Sequence, residues 1–314
     1  MAQTTAAPLP PNTPESDTTY FLEQFNAKHL ILFEGVENPG LENAFEKYAA
    51  TGKAVLHRAM TGSDDKKPGL FKYTHSGGRR LDPTWMRSSL SSINVFQSLT
   101  NPPNGVALLL GTSGTTSKPK GVPIRHSSIV RNGFILASSL GLNKDDVCYS
   151  IMPLFHIGGI SASILCYIGT GAAAFSPENM IDALALSKPQ PTWYSSVPTI
   201  HNATVNYIRD MASVSEKLKS YGVQDNGVWK EGHSLRMIRS GAAELMSRDA
   251  ISLSSTYGDI PIIPTYSMSE QMPISQPPAG KIDMIFDKPL VSPACRSVVF
   301  RCDPQWSLVE LVAL

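Results

Sequence analysis

From about residue 28 the chain repeats one pattern: a short β-branched or apolar run, then a longer stretch with helical spacing. The runs His29–Phe33, Val106–Leu110, Val147–Met152, Ala172–Phe175, Thr192–Ser195, Leu235–Arg239 and Ile260–Pro264 read as strands. Helical patterns fall between them at Ser127–Leu140, Gly159–Tyr167, Asn179–Ser187, Thr199–Met211 and Glu244–Tyr257. Strand, helix, strand in this order predicts an α/β fold, mostly parallel sheets with helices on both faces. The near-continuous apolar strands suit sheets covered on both sides.

The unusual peptides of this chain all follow a strand. They are Thr112 to Gly121 (TSGTTSKPKG), PLFHIGG after Met152, VPTIH after Ser195, SGAAEL after Arg239 and YSMSEQ after Pro264. In open α/β sheets ligands bind beyond the carboxyl ends of the strands, so five such loops describe one site. The loop Thr112, Ser113, Gly114, Thr115, Thr116, Ser117, Lys118, Pro119, Lys120, Gly121 has the makings of a phosphate cradle. Glycines admit an anion to the backbone, successive N–H groups form a nest, hydroxyls donate, and Lys118 and Lys120 supply charge. It lacks the GxxxxGK[ST] spacing of the Walker loop. A flexible loop with two solvated lysines is the competing reading. A helix is expected a few residues on, with Pro123 blurring its start.

The other loops are less specific taken singly. In Tyr266-Ser267-Met268-Ser269-Glu270 the ring can stack a purine, Ser269 can donate to a phosphate and Glu270 suits Mg2+; a plain polar loop fits these residues as well. Gly241-Ala242-Ala243, with Ser240 at the sheet edge, is small enough for a flat ligand to lie against, or is simply a tight turn. His156 and His201 are either core residues or contacts to a substrate carboxylate. His126 flanks a helix. No Ser-His-Asp spacing, HExxH or pair of catalytic carboxylates is present.

Composition excludes several classes. With 42% apolar and 17% charged residues the chain can bury a core. A net charge of +1 gives no steering field for nucleic acid. The four cysteines form neither a zinc pattern nor a disulfide framework, which implies an intracellular, cytoplasmic protein. The uncharged stretch Ile157 to Phe175 is broken by Gly158-Gly159 and Gly169-Thr170-Gly171. It reads as a buried helix, a turn and a strand rather than a transmembrane segment.

Together these loops resemble the adenylate-forming superfamily of acyl-CoA synthetases, luciferases and peptide-synthetase adenylation domains. TSGTTSKPKG resembles its phosphate-loop signature; PLFH, SGAA and YSMSE resemble its later core motifs, in the same order. GTTSKPKGVP, TWYSSVPTIHN and LRMIRSG are most similar to the oxalate–CoA ligase branch. The resemblance implies the fold of this superfamily's core and a two-step reaction. A carboxylate attacks the α-phosphate of ATP to give acyl-AMP and pyrophosphate; the thiolate of coenzyme A then displaces AMP. It implies that Thr112 to Thr116 with Lys118, Lys120 and Gly121 hold the triphosphate. Tyr266 would stack adenine beside Ser240 to Ala243, Ser267 and Met268; Ser269 would contact phosphate, and Glu270 with Thr116 would hold Mg2+. His156, His201, Arg239 and Ser240 would border the acid. Lys120, Glu270 and His156 are the groups expected nearest the chemistry.

The resemblance runs from Tyr20 to about Pro289. The expected organisation is therefore a disordered tail over 1–19, a partial AMP-binding core over 20–289 and an unrelated, disordered tail over 290–314. The family's ribose-binding aspartate and its C-terminal lid with the catalytic lysine are not found; Lys281 and Lys288 are poor substitutes. The chain thus reads as an incomplete acid–CoA ligase, or alternatively as a non-catalytic ATP- or AMP-binding fragment or interaction protein. The full-length parent could be peroxisomal, although the Val-Ala-Leu ending is no targeting tripeptide.

Overall fold

The computed structural model describes residues 5–33, 38–61, 71–75, 104–112, 120–161, 170–171, 176–277, 298–302 and 309–313. They divide into two compact units, Met1–His126 and Ser127–Leu314.

In the first unit, helices α1 (Glu15–Gln24) and α2 (Pro39–Ala50) accompany a three-stranded sheet. Its order is β1 (His29–Phe33), β2 (Val55–Thr61), β3 (Phe71–His75), with β1 and β2 parallel and β2 and β3 antiparallel. Asn38 caps α2 by accepting from the Gly40 and Leu41 amides, and Pro39 opens it. Leu41, Ala44, Phe45 and Tyr48 then repeat at helical spacing and are buried. Leu41, Phe45 and Tyr48 share one core with Leu30 and Leu32, the inward residues of β1. A second, two-stranded sheet pairs β4 (Val106–Thr112) antiparallel with β5 (Lys120–Arg125). The segment after the phosphate loop is therefore a strand before it is a helix. Pro123 is tolerated there because β5 pairs on one side only, with β4, among the described residues.

The expected tail over 1–19 needs correction. Ala6 bridges the edge of β4, its amide donating to Ala107 O and its carbonyl accepting from Leu109 N. Helix α1 begins at Glu15 and buries Thr18, Phe21 and Leu22. The Pro/Thr-rich composition conceals these few anchors.

The second unit is built on a parallel five-stranded sheet of order β10-β9-β8-β6-β7. The strands are β6 (Cys148–Ser150), β7 (Thr170–Gly171), β8 (Trp193–Ser196), β9 (Met237–Ser240) and β10 (Ile262–Pro264). Alternation along the strands sends side chains to two cores. Tyr149, Tyr194, Ile238 and Ile262 pack with α4 (Pro177–Leu186), α5 (Pro198–Met211) and α7 (Ser247–Thr256). Cys148, Trp193, Met237 and Ile263 pack with Leu136 and Leu140, at the end of α3 (His126–Ser139). Helices on both faces of a parallel sheet are thus observed. A short helix α6 (Glu216–Ser220) follows α5. Most of the expected helix Gly159–Tyr167 and all of the strand Ala172–Phe175 lie outside the described residues.

A second sheet in this unit is antiparallel, of order β11-β12-β13-β14. It comprises β11 (Tyr266–Met268), β12 (Gln271–Gln276), β13 (Val298–Cys302) and β14 (Val309–Ala313). The last two strands lie within 290–314, where a disordered tail was expected; their β-branched runs are enough to pair with β12 and each other. Among the described residues no helix is long and apolar enough to cross a membrane.

The ends of β6 and β8 opposite the loops are tied by Asp146. Arg236 donates from Nε and Nη2 to its two oxygens, each at 2.6 Å, and Thr192 Oγ1 and the Asn143 amide also donate to it. Burial alone would raise the Asp146 pKa, but the Arg236 fork and the other donors hold it below the usual value. A depressed carboxylate stabilises the fold above its unfolded pKa near 3.8, and the contribution is lost as pH falls through the folded value. Arg236 is 38% exposed, so its charge stays partly hydrated when the partner is lost. Asp146→Asn is therefore expected to cost about 2 kcal/mol in urea unfolding at pH 7, below the roughly 3–5 kcal/mol of a fully buried pair. No change in midpoint would mean that the fork contributes nothing.

Candidate active site

The parallel strands all deliver their carboxyl ends to one edge, and a cavity of about 150 Å³ opens there. Each of four sequence loops contributes to its wall. The loop after β6 gives Met152, His156, Ile157 and Gly158; β8 gives Ser195 and Ser196. Strand β9 and its turn give Arg239, Gly241 and Ala242; the β11–β12 hairpin gives Ser267, Met268, Ser269 and Met272.

His156 caps a single helical turn, Ile157–Gly159. Its Nδ1 accepts from the Gly158 amide at 3.0 Å, which leaves the ring proton on Nε2. Loss of water around the ring lowers its pKa below the ordinary imidazole value, so the neutral donor form is favoured. Arg239 is 3% exposed. Its Nη1 donates to Ser195 Oγ and its Nε to Gln276 Oε1, both at 2.8 Å. Ser196 and Ser267 present buried hydroxyls that make no hydrogen bond among the described residues. Buried polar groups are normally satisfied, so hydroxyls of this kind on a cavity wall are candidates for ligand contact. Ala242 holds φ at +65°, a costly conformation for a residue with a Cβ, of the sort that concentrates at functional sites. Neither carboxylate nor thiol lines the cavity among the described residues. Its described wall offers a guanidinium, an imidazole and several hydroxyls, a set chemically suited to an anion and without a side-chain nucleophilic pair.

The remaining expected residues lie elsewhere. Ser240 is buried at the end of β9 and its carbonyl accepts from the Thr265 amide; its hydroxyl makes no hydrogen bond among the described residues, and neither Ser240 nor Ala243 lines the cavity. His201 is 1% exposed in the first turn of α5, with Nδ1 3.3 Å from the Tyr194 hydroxyl, and it too stands off the cavity. Tyr266 is 67% exposed, and Glu270 sits with Ser269 in the two-residue turn between Met268 and Gln271. Thr112 and Lys120 are register partners at the ends of β4 and β5, in the first unit. Between them Ser113, Gly114, Thr115, Thr116 and Lys118 lie outside the described residues. Gly121 was expected as a phosphate-loop glycine. Here the Phe25 ring occupies the place of a Cβ, as the Phe21 ring does at its partner Gly111, which gives both glycines a packing role.

Sequence reading missed Ser195, Ser196 and Gln276. Gln276 had no signal at all: it is an ordinary residue at the end of β12. Ser195 and Ser196 carried one, since they precede VPTIH at the end of a strand already identified.

A profile of AMP-binding enzymes matches residues 1–293. The chain belongs to the AMP-binding enzyme family. Among curated relatives it is 28% identical over 274 residues to oxalate–CoA ligase of Arabidopsis thaliana, covering 86% of this chain and 46% of that one. It is 28% identical over 212 residues to oxalate–CoA ligase of Saccharomyces cerevisiae, covering 64% and 38%. ATP-bound MatB from Rhodopseudomonas palustris superposes with a TM-score of 0.60 at 20% identity, covering 87% of this chain and 46% of that one. This AMP-binding chain thus spans about half the length of the curated relatives it matches.

Residues of the family's expected ligands fit what is placed. The exposed Tyr266 ring has a face available for a base, and small Gly241 and Ala242 lie in the cavity wall. No group of three metal-ligating side chains occurs among the described residues. Glu270 lies at the tip of the β11–β12 hairpin, which contributes to this edge.

Proposed function

We propose that this chain carries the acid-binding core of an ATP-dependent acid–CoA ligase that acts on a small dicarboxylate such as oxalate. The observation that carries this reading is Arg239, a buried guanidinium in the wall of a small anion-suited cavity. The reacting carboxylate loses its charge on forming the mixed anhydride with AMP; a second carboxylate keeps its charge and needs a cation. The cavity is smaller than the roughly 300–1,000 Å³ typical of sites for drug-sized ligands, which favours a few-carbon acid over a fatty chain.

In this reading Arg239 and the Ser196 hydroxyl hold the distal carboxylate, and the His156 Nε2–H holds the reacting one against the nucleotide. The carboxylate oxygen attacks the α-phosphorus and pyrophosphate leaves; coenzyme A thiolate then attacks the acyl carbon and AMP leaves. Positioning and charge stabilisation supply the catalysis. Tyr266 stacks the base, Ser269 meets phosphate, and Lys120 with Thr112 to Thr116 and Lys118 takes the triphosphate. Mg2+ on Glu270 and Thr116 would offset the charge of the phosphates.

ATP–pyrophosphate exchange with oxalate, malonate, acetate and hexanoate tests the reading, beside calorimetry with ATP–Mg2+. Exchange with oxalate or malonate is expected to exceed that with either monoacid by at least about tenfold, the worth of one charge-assisted contact. Lys120→Ala is expected to weaken ATP by about tenfold. Equal exchange with acetate would refute the dicarboxylate reading. ATP affinity unaltered in Lys120→Ala would refute the loop's role, and nucleotide binding without exchange on any acid would point to a non-catalytic binder.

A further inference from the structure

The phosphate loop leaves the first unit from Thr112 and Lys120, register partners at the ends of β4 and β5. The pair one step back is Gly111 and Gly121. Neither glycine takes a left-handed φ, so the backbone there admits other residues. The demand for glycine comes from α1. A Cβ on Gly111 would stand 2.5 Å from the Phe21 ring, and one on Gly121 would overlap the Phe25 ring. Phe21 is a buried residue of α1, and Phe25, one helical turn on, is its C-cap. Their rings lie 5.3 Å apart, centroid to centroid. One ring therefore rests on each strand, at the last paired step before the loop.

More of α1 meets the same face of the hairpin. Residues two apart on a strand share a face, so Leu109 and Pro123, themselves register partners, lie beside the glycines. Tyr20, Gln24 and Phe25 line a groove with both. The alternate pair, Leu110 and Val122, is buried. The N-terminal segment also holds an edge of β4: Thr5 Oγ1 donates to the Val106 carbonyl at 2.8 Å, beside the bonds made by Ala6. A two-stranded hairpin is marginally stable in water by itself, so what packs on it decides where its ends stand.

We propose that Phe21 and Phe25 are positioning residues for triphosphate binding: seated on the facing glycines, they fix where β4 and β5 present Thr112 and Lys120. They act through the hairpin and not on the nucleotide. This rests on the triphosphate role proposed above for Lys120 and adds to it two aromatic residues outside the loop.

The test is a size swap read by calorimetry with ATP–Mg2+ and with AMP, which lacks the two outer phosphates. Carbon atoms pack at about 3.5–4.0 Å, so the methyl of Gly111→Ala asks for about 1 Å of movement between α1 and β4. Since a misplacement of about 1 Å can cost about 100-fold, ATP affinity is expected to fall about tenfold, and AMP affinity less than about threefold. Phe21→Leu, which removes the ring from the glycine, is expected to weaken ATP about fivefold. In the double variant the methyl takes space that the ring gives up, and ATP affinity is expected to return to within about threefold of wild type. Loss of stability alone would lower the melting temperature and leave the ratio of ATP to AMP affinity unchanged in the folded protein. If Gly111→Ala does not fold, as judged by circular dichroism, Phe25→Leu carries the same ATP–AMP comparison on the other strand. A folded single variant with the wild-type ratio, or a double variant as weak for ATP as Gly111→Ala, overturns the positioning role alone. Wild-type ATP affinity that Lys120→Ala leaves unaltered overturns the triphosphate reading, and this inference with it.

Discussion

Arg239→Met is expected to lower kcat/KM for oxalate or malonate about 100-fold or more, and for acetate less than about fivefold. The argument begins with burial. The guanidinium is 3% exposed, so water cannot replace it once it is gone. A second carboxylate brought into the cavity would then lose its hydration without meeting a cation, a penalty of several kcal/mol for an unpaired charge. A monocarboxylate has no such group to strand. Methionine keeps the stem volume, and Gln276 Oε1 keeps its Thr265 donor. The hydrogen bonds that Ser195 and Gln276 no longer receive add a structural cost of about 1–3 kcal/mol. Melting temperature separates this from a failure to fold. Arg239→Lys is expected to recover only part of the discrimination, because an ammonium cannot reproduce the fork that spans Ser195 and Gln276. An Arg239→Met protein with unchanged preference for malonate over acetate would show that the charge is not used in acid recognition.

The second large effect concerns acid stability. His201 lies in the first turn of α5, 1% exposed, and burial lowers its pKa from 6.5 to about 3. Its neighbour across the core is the Tyr194 hydroxyl, itself pushed upward by burial and neutral throughout this range. A histidine depressed in the folded state favours folding while it is neutral. Below pH 6.5 the unfolded chain takes up a proton that the folded chain refuses, so stability falls with falling pH until about pH 3. The slope is about 1.4 kcal/mol per pH unit, or about 4–5 kcal/mol over the full window. Urea unfolding at pH 7.5, 5.5 and 4.5 measures it. His201→Gln is expected to be less stable at pH 7.5 but to lose about 2–3 kcal/mol less than wild type between about pH 6.5 and 4.5. Parallel pH profiles for the two proteins would mean that His201 titrates normally and is not held out of water. The same burial bears on function: a ring this deep, off the cavity wall, is placed to support α5 and β8 rather than to meet an acid.

Much of the second unit was legible beforehand. The runs around Thr192, Leu235 and Ile260 became β8, β9 and β10 within two residues at each end, because continuous apolar strands between helical patterns admit few other folds. His29–Phe33 became β1 without change. Helix α2 carries ordinary helix signals in Asn38-Pro39 and in the spacing of Leu41, Ala44, Phe45 and Tyr48. The β11–β12 hairpin was not readable. Its turn residues are Ser269-Glu270, without the Asn-Gly or Asp-Gly that marks a tight hairpin, and β12, QMPISQ, has no alternation of apolar and polar residues and contains a proline. Helix α1 was hidden by composition, since Thr18, Phe21 and Leu22 are its only buried residues among polar neighbours.

The sequence by itself determined that loops rich in glycine, serine and histidine gather at one edge. Parallel strands joined by helices must all point the same way, so whatever follows each strand arrives together. The tertiary structure decided which of those residues face the cavity. It turned Arg239 inward and His201 away, joined Gln276 to Ser139 across 137 residues of chain, and left the Ser196 and Ser267 hydroxyls on the cavity wall without partners among the described residues. The reason is physical. Periodicity encodes which face a residue lies on, because that depends on neighbours a few positions away. Which polar groups satisfy one another depends on the register and approach of elements far apart in sequence, and those are fixed only when the cores pack.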